Sequence, residues 1–95
     1  MSFRMTVEDV FVIKNRGVVA TGRVASGVLR VGDTVHINDG PGVKVDAIEV
    51  FRKSIEEANV GDNIGVLFKK VDRSQIDRGA VLSAGGDESS AAFIV

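Results

Sequence analysis

In 95 residues the chain has no cysteine, no tryptophan and no tyrosine, and only one proline and one histidine. The missing thiols exclude disulfides, thiolate zinc sites and a cysteine nucleophile. They also suit a cytoplasmic setting, since secreted domains of this size often carry disulfide staples. The lone His36 has no HxxxH or HExxH partner and reads as a solvated strand residue. No GxxxxGK(S/T) loop is present to cradle a phosphate, and no GxSxG elbow to expose a serine nucleophile. No apolar run approaches the ~18 residues of a membrane span, and Met1-Ser-Phe-Arg lacks the apolar region of a signal peptide. Twelve basic against thirteen acidic side chains leave a net charge of −1. With no bulk field toward nucleic acid or membrane, any nucleic-acid contact has to be local.

What is present is an ordinary globular composition, 44% hydrophobic and 26% charged, enough for one domain with a modest core. Eleven glycines and Pro41 punctuate it at short intervals. VEDVFVIK (7–14) is rich in β-branched and aromatic residues and reads as a strand. Its VFVI core is apolar on both faces, which predicts that both sides are at least partly covered. Asn15-Arg16-Gly17 signals a turn, and VVATGRV (18–24) the next strand. Turns follow at Ala25-Ser26-Gly27 and Val31-Gly32-Asp33. TVHIN (34–38) then alternates, with Val35 and Ile37 inward and His36 outward. Asp39-Gly40-Pro41-Gly42 is a tight loop.

Residues 43–66 admit two readings. Ile48, Phe51 and Ile55 have helical spacing, which would set Glu56 and Glu57 beside Arg52 and Lys53 as an acid–base cluster. Yet residues 43–51 are dense in β-branched side chains and no N-cap precedes them, which favours strand, loop, strand. Val43/Val45 and Ile48/Val50 then occupy opposite phases, and a bulge near Asp46 or Ala47 would restore the register. NIGVLFKK (63–70) and AVLSA (80–84) are further strands, with a helical turn at SQID (74–77) between them. Gly22 and Gly65, inside strands, mark sharp bends or close backbone approach. Six or seven short strands without a long helix predict a small all-β barrel or sandwich over residues 1–84. Residues 85–95, GGDESS followed by the apolar AAFIV, read as a flexible C-terminal tail.

Chemistry is sparse. Asp72 and Asp77 flank Arg73 and Arg78 as surface ion pairs. Lys69, Lys70 and Arg73 form a small basic run, either a solvated strand end or an RNA-backbone contact. Aromatic platforms for bases are few, because most of the five phenylalanines look like core.

The segments EDVFVIKNRGVVATGRVASGVLRVGDTV and IEVFRKSIEEANVGDNIGVLFKKVDRSQIDRGAVL closely resemble the second domain of elongation factor Tu, the β-barrel shared by translation-factor GTPases. The resemblance rests on Glu8-Asp9-Val10-Phe11, Arg16-Gly17, Thr21-Gly22-Arg23-Val24, Val31-Gly32-Asp33, Phe51-Arg52-Lys53, Gly61-Asp62-Asn63-Ile64-Gly65 and Ile76-Asp77-Arg78-Gly79, in family order over about residues 3–84. Asn15 and Ala20 depart from it, where that factor commonly has glycine and valine. It implies a single closed six-stranded β-barrel that catalyses nothing and needs no cofactor or metal, the family's GTPase activity residing in a different domain.

The resemblance further implies a role in translation elongation, through contact with the aminoacylated 3′ end of tRNA or with ribosomal RNA. Glu49 and Arg52 match the glutamate and arginine that take part in the terminal-adenosine pocket, and Val24 matches a neighbouring position. Arg23 and Lys53 are the corresponding candidates for RNA-backbone contact. The competing reading is a protein-interaction adaptor, docking on a GTPase domain of another chain or forming a homo-oligomer through an exposed apolar patch. Val19, Leu67 and VFVI are the candidates for that patch, and the AAFIV end could add a strand to a sheet edge. No membrane partner is implied.

Overall fold

The protein was described from a computed structural model covering residues 2–85; the tail expected over 85–95 lies, beyond Gly85, outside the described residues. Ten strands follow one another: β1 (Phe3–Ile13), β2 (Gly17–Ser26), β3 (Leu29–Arg30), β4 (Thr34–Ile37), β5 (Gly42–Lys44), β6 (Ala47–Val50), β7 (Lys53–Ile55), β8 (Glu57–Ala58), β9 (Asn63–Phe68) and β10 (Val81–Ala84). One 3-10 turn, Arg73–Gln75, interrupts them, where the sequence predicts a helical turn at SQID. No helix among the described residues is long and apolar enough to cross a membrane.

Eight strands form one antiparallel sheet in the order β5-β4-β10-β1-β2-β9-β6-β7, and β3 pairs with β8 in a separate ribbon. The closed six-stranded barrel is therefore not what forms. The sheet is an open half-barrel, because its end strands β5 and β7 are not paired with each other. The cause lies in residues 43–58, where no segment stays regular long enough to carry a ladder across the gap. β5 and β7 have three residues each, and β8 has two. Residues 31–32 span the gap through isolated hydrogen bonds, Val31 N–H to the Glu56 carbonyl (3.1 Å) after β7 and Gly32 N–H to the Val45 carbonyl (2.9 Å) after β5.

The core follows from alternation. Phe3, Met5 and Val7 of β1 point inward, as do Val18, Ala20 and Val24 of β2 and Ile64, Val66 and Phe68 of β9. Leu29 and Ala58 bring the β3–β8 ribbon onto the same cluster, and Ile76 and Ala80 seal it from the connection before β10. Leu67, a candidate for the exposed patch, is only 2% exposed. Its neighbours across the ladder, Val19 and Ala47, lie on the face opposite the core.

The phase change at 43–50 is a change of partner, not a bulge. β5 pairs with β4 while β6 pairs with β9, at the other end of the sheet. Between them Val45 turns into the core, and Asp46 is anchored by its N–H to the Leu67 carbonyl (2.9 Å) and by its carboxylate to the Lys69 N–H (2.8 Å). β6 and β7 then form a hairpin through Phe51 and Arg52, so Glu56 and Glu57 belong to no helix. Gly22 sits in a close approach as expected: a Cβ there would stand 2.4 Å from the Thr6 carbonyl oxygen.

A second correction concerns VFVI. β1 pairs with β2 along nearly all its length, but β10 covers its other edge only from Phe3 to Thr6. Beyond that contact Val10 still packs on the core beside Ala20, but the end of β1 is an open edge, leaving Phe11, Val12 and Ile13 at 51%, 62% and 36% exposure. A strand of eleven residues spans about 33 Å, more than either short dimension of the 44 × 25 × 22 Å molecule. Two-faced apolarity here belongs to an open strand end, not to a strand covered on both sides.

Candidate nucleic-acid interface

The convex face of β2, β9 and β6 carries a shallow cleft, and one row of the ladder explains it. Asp9, Thr21, Gly65, Glu49 and Ser54 lie opposite one another across β1, β2, β9, β6 and β7. Gly65 has no side chain, so the row dips between Thr21 and Glu49. A Cβ at Gly65 would come within 3.0 Å of Val19 Cγ1 and 3.9 Å of the Glu49 carbonyl oxygen. The dip opens into a cleft of about 350 Å³ bounded by Val19, Thr21, Glu49, Phe51 and Asn63.

Of the residues singled out in the sequence, Glu49 lines this cleft and is half-buried. Its carboxylate accepts a hydrogen bond from Arg16 Nη2 at 2.9 Å. The pair is partly exposed, so it contributes little to stability, but it fixes the carboxylate at the cleft mouth. Arg52 stands on the rim in a left-handed conformation (φ 60°), with its guanidinium 5.3 Å from the centre of the Phe51 ring. That is cation–π range. Arg23 is exposed on the same face, in the row opposite Asn63, and Lys53 is exposed on β7 opposite Val50. Val24 does not join them: it is 1% exposed and points into the core.

Two contributors escape the sequence reading. Phe51, grouped there with the core, is 86% exposed at the β6–β7 turn and borders the cleft. The cause is the two-residue turn, which holds Arg52 at positive φ and leaves the preceding side chain at the tip, and nothing in the sequence around it marks that turn. Arg16, read only as part of a turn, reaches across the face to Glu49. No local pattern announces a contact between residues so far apart in the chain. The basic run splits in space: Lys69 and Arg73 border a second cleft beneath the β1–β2 hairpin together with Lys14, and Lys70 faces a different one beside β5. Arg73 is held by Asp77 at 2.8 Å, a surface ion pair of the kind the sequence suggests, whereas Arg78 lies 3.5 Å from Asp9 of β1 instead of a neighbour in its own segment.

The acceptor carboxylate, exposed aromatic ring and flanking guanidinium groups form a surface able to receive a planar, hydroxyl-bearing ligand. Nothing in this set constitutes a nucleophile paired with a base. Residues 17–83 match the family model described as Elongation factor Tu domain 2. With well over half of its length covered by that match, and an all-β fold to carry it, the chain belongs to the elongation factor Tu domain 2 family.

Proposed function

We propose that this chain is a non-catalytic binding module of translation elongation, and that the cleft floored by Gly65 receives the aminoacylated 3′ end of a tRNA. The observation that supports the reading most is the position of Glu49 in a cleft edged by the exposed ring of Phe51. A carboxylate accepts hydrogen bonds from ribose hydroxyls or an exocyclic amine, and an exposed ring offers a stacking face worth about 1–3 kcal/mol per base. Arg52 works from the rim, beside Phe51. Arg23 and Lys53 supply local positive charge for the phosphates that follow, or for ribosomal RNA, on a chain whose net charge of −1 gives no general attraction. Such work places the chain in the cytoplasm.

Amide NMR of the chain titrated with aminoacylated and uncharged acceptor-stem RNA tests this. Shifts should cluster at Glu49, Phe51 and Gly65, favour the aminoacylated form, and disappear in Glu49→Ala. No shift with either RNA at high micromolar concentration would overturn the reading. A second reading, docking on a GTPase domain of another chain, draws its support from the exposed Phe11, Val12 and Ile13. It would show as shifts confined to the β1–β2 hairpin when such a domain is added.

A further inference from the structure

The cleft beside β5 has a volume of about 430 Å³ and is lined by Gly42, Val43, Lys44, Asp46, Lys70 and Val71. It lies on the side where the half-barrel stays open. Val45 turns both its N–H and its carbonyl to residues 32–33, so alternation directs the backbone of Lys44 the other way, toward the cleft. The walls are mixed: Val71 is buried and Val43 half-buried, whereas Lys44 and Lys70 are exposed. Neither lysine has an ion-pair partner among the described residues. The one carboxylate lining the cleft, that of Asp46, accepts the Lys69 N–H at 2.8 Å. Such a cleft suits a segment that is acidic and apolar at once.

The ladder shows which segment starts nearest. Leu82 stands opposite Ile37, Ser83 opposite His36, and Thr34 opposite Lys44. Carried on for two residues, the first register sets Gly85 opposite Thr34 and in one row with Lys44. Only β4 then lies between Gly85 and Lys44, about 10 Å at the usual strand spacing. Thr34 and Lys44 are both exposed, so the path across β4 runs over its outer face. The sequence continues as GDESSAAFIV (86–95). At about 3.3 Å per extended residue, Asp87 and Glu88 are the residues that come level with Lys44. We propose that residues 86–95 cross β4 and dock in this cleft, with Asp87 and Glu88 against Lys44 and Lys70 and Phe93 against Val43 and Val71. Two acidic side chains meet two basic ones, and the apolar end meets the apolar walls. Docked there, the tail clasps the side of the sheet that β5 leaves unpaired.

NMR of the full chain tests this. Cross-peaks should join the Phe93 ring to the methyls of Val43 and Val71, and nitrogen relaxation should show the amides of Ala91 to Ile94 tumbling with the body. Phe93→Asp should free those amides and move the two valine methyl signals. Lys44→Glu should lower the ratio of docked to free tail about fivefold by setting like charges together, and adding Glu88→Lys to it should restore most of the loss. Signals of β1, β2 and β9 that stay in place verify that each variant keeps its fold. Absence of cross-peaks from Phe93 to the cleft overturns the proposal. So do amides that stay ordered in Phe93→Asp, or a charge-reversed pair that fails to recover. In a mixture of labelled and unlabelled chains, cross-peaks that run between chains also overturn it, since the cleft would then hold a second copy's tail. None of these outcomes depends on RNA binding at Glu49.

Discussion

Phe3 and Phe11 stand on the same strand with similar neighbours, yet one is 2% exposed and the other 51%. In the first half of β1 the alternation Phe3, Met5, Val7 against Arg4, Thr6, Glu8 has a core beneath it and β10 beside it. In the second half Val10 to Ile13 are apolar without interruption; Val10 still packs on the core, but β10 no longer borders the strand and the next three side chains are exposed. The halves meet at a register shift between Val7 and Asp9, opposite Gly22. A bulge bends a strand and increases its twist, and beyond this point β1 loses β10 as its neighbour. Alternation marks a strand with one wet face, whereas continuous apolarity marks a strand that meets apolar partners. Here the described residues supply them for Val10 but leave Phe11, Val12 and Ile13 exposed.

Substitutions at matched positions sharpen the contrast. The largest effect is expected from Phe3→Ala, a loss of about 3–5 kcal/mol in chemical denaturation. Phe11→Ala, measured at a concentration where the chain is monomeric, should change stability by no more than about 0.5 kcal/mol. Near-equal losses would mean that the hairpin end packs on the body. Gly22→Ala comes next, because its Cβ would meet the Thr6 carbonyl oxygen, a backbone atom that has little room to move. A cost of about 1–3 kcal/mol is expected, and a neutral result would show that the shift opposite Gly22 can move along β1. The smallest is Arg78→Ala, which removes a partly exposed ion pair and a carbonyl contact at the junction. Global stability should fall by about 0.5 kcal/mol or less, with faster hydrogen exchange confined to the residues after Glu8.

Much of this architecture is legible in the residues. The turns at Asn15-Arg16-Gly17 and Val31-Gly32-Asp33, the alternation of Thr34 to Ile37 and the rejection of a helix at residues 47–66 all follow from local chemistry. Pairing is less accessible. The slip between Val45 and Ile48 reads as a bulge because a bulge is the local way to change phase; the actual device, a strand leaving β4 for β9, depends on residues distant in the chain. Closure fails to be legible for the same reason, since whether β5 meets β7 is decided by the summed geometry of eight strands. At the cleft, Glu49 and Arg52 stand out only through likeness to a family. Val24 stands out by the same likeness, yet its alternation with Val18 and Ala20 points it inward. Phe51 was hidden because an aromatic residue next to a strand is more often buried than at a turn.

The pairing of Phe3 with Ala84 has a consequence for how the molecule is made. β2, β9, β6 and β7 can assemble on β1 as they emerge from a ribosome, but the strand that covers the first half of β1 is the last of the described strands to be synthesised. Until then the whole outer side of β1 is a bare seam, and contacts between such distant parts of a chain form slowly. β10 closes that seam as far as Thr6. The nascent chain and the finished one therefore share the same vulnerable edge, shortened by maturation but not removed.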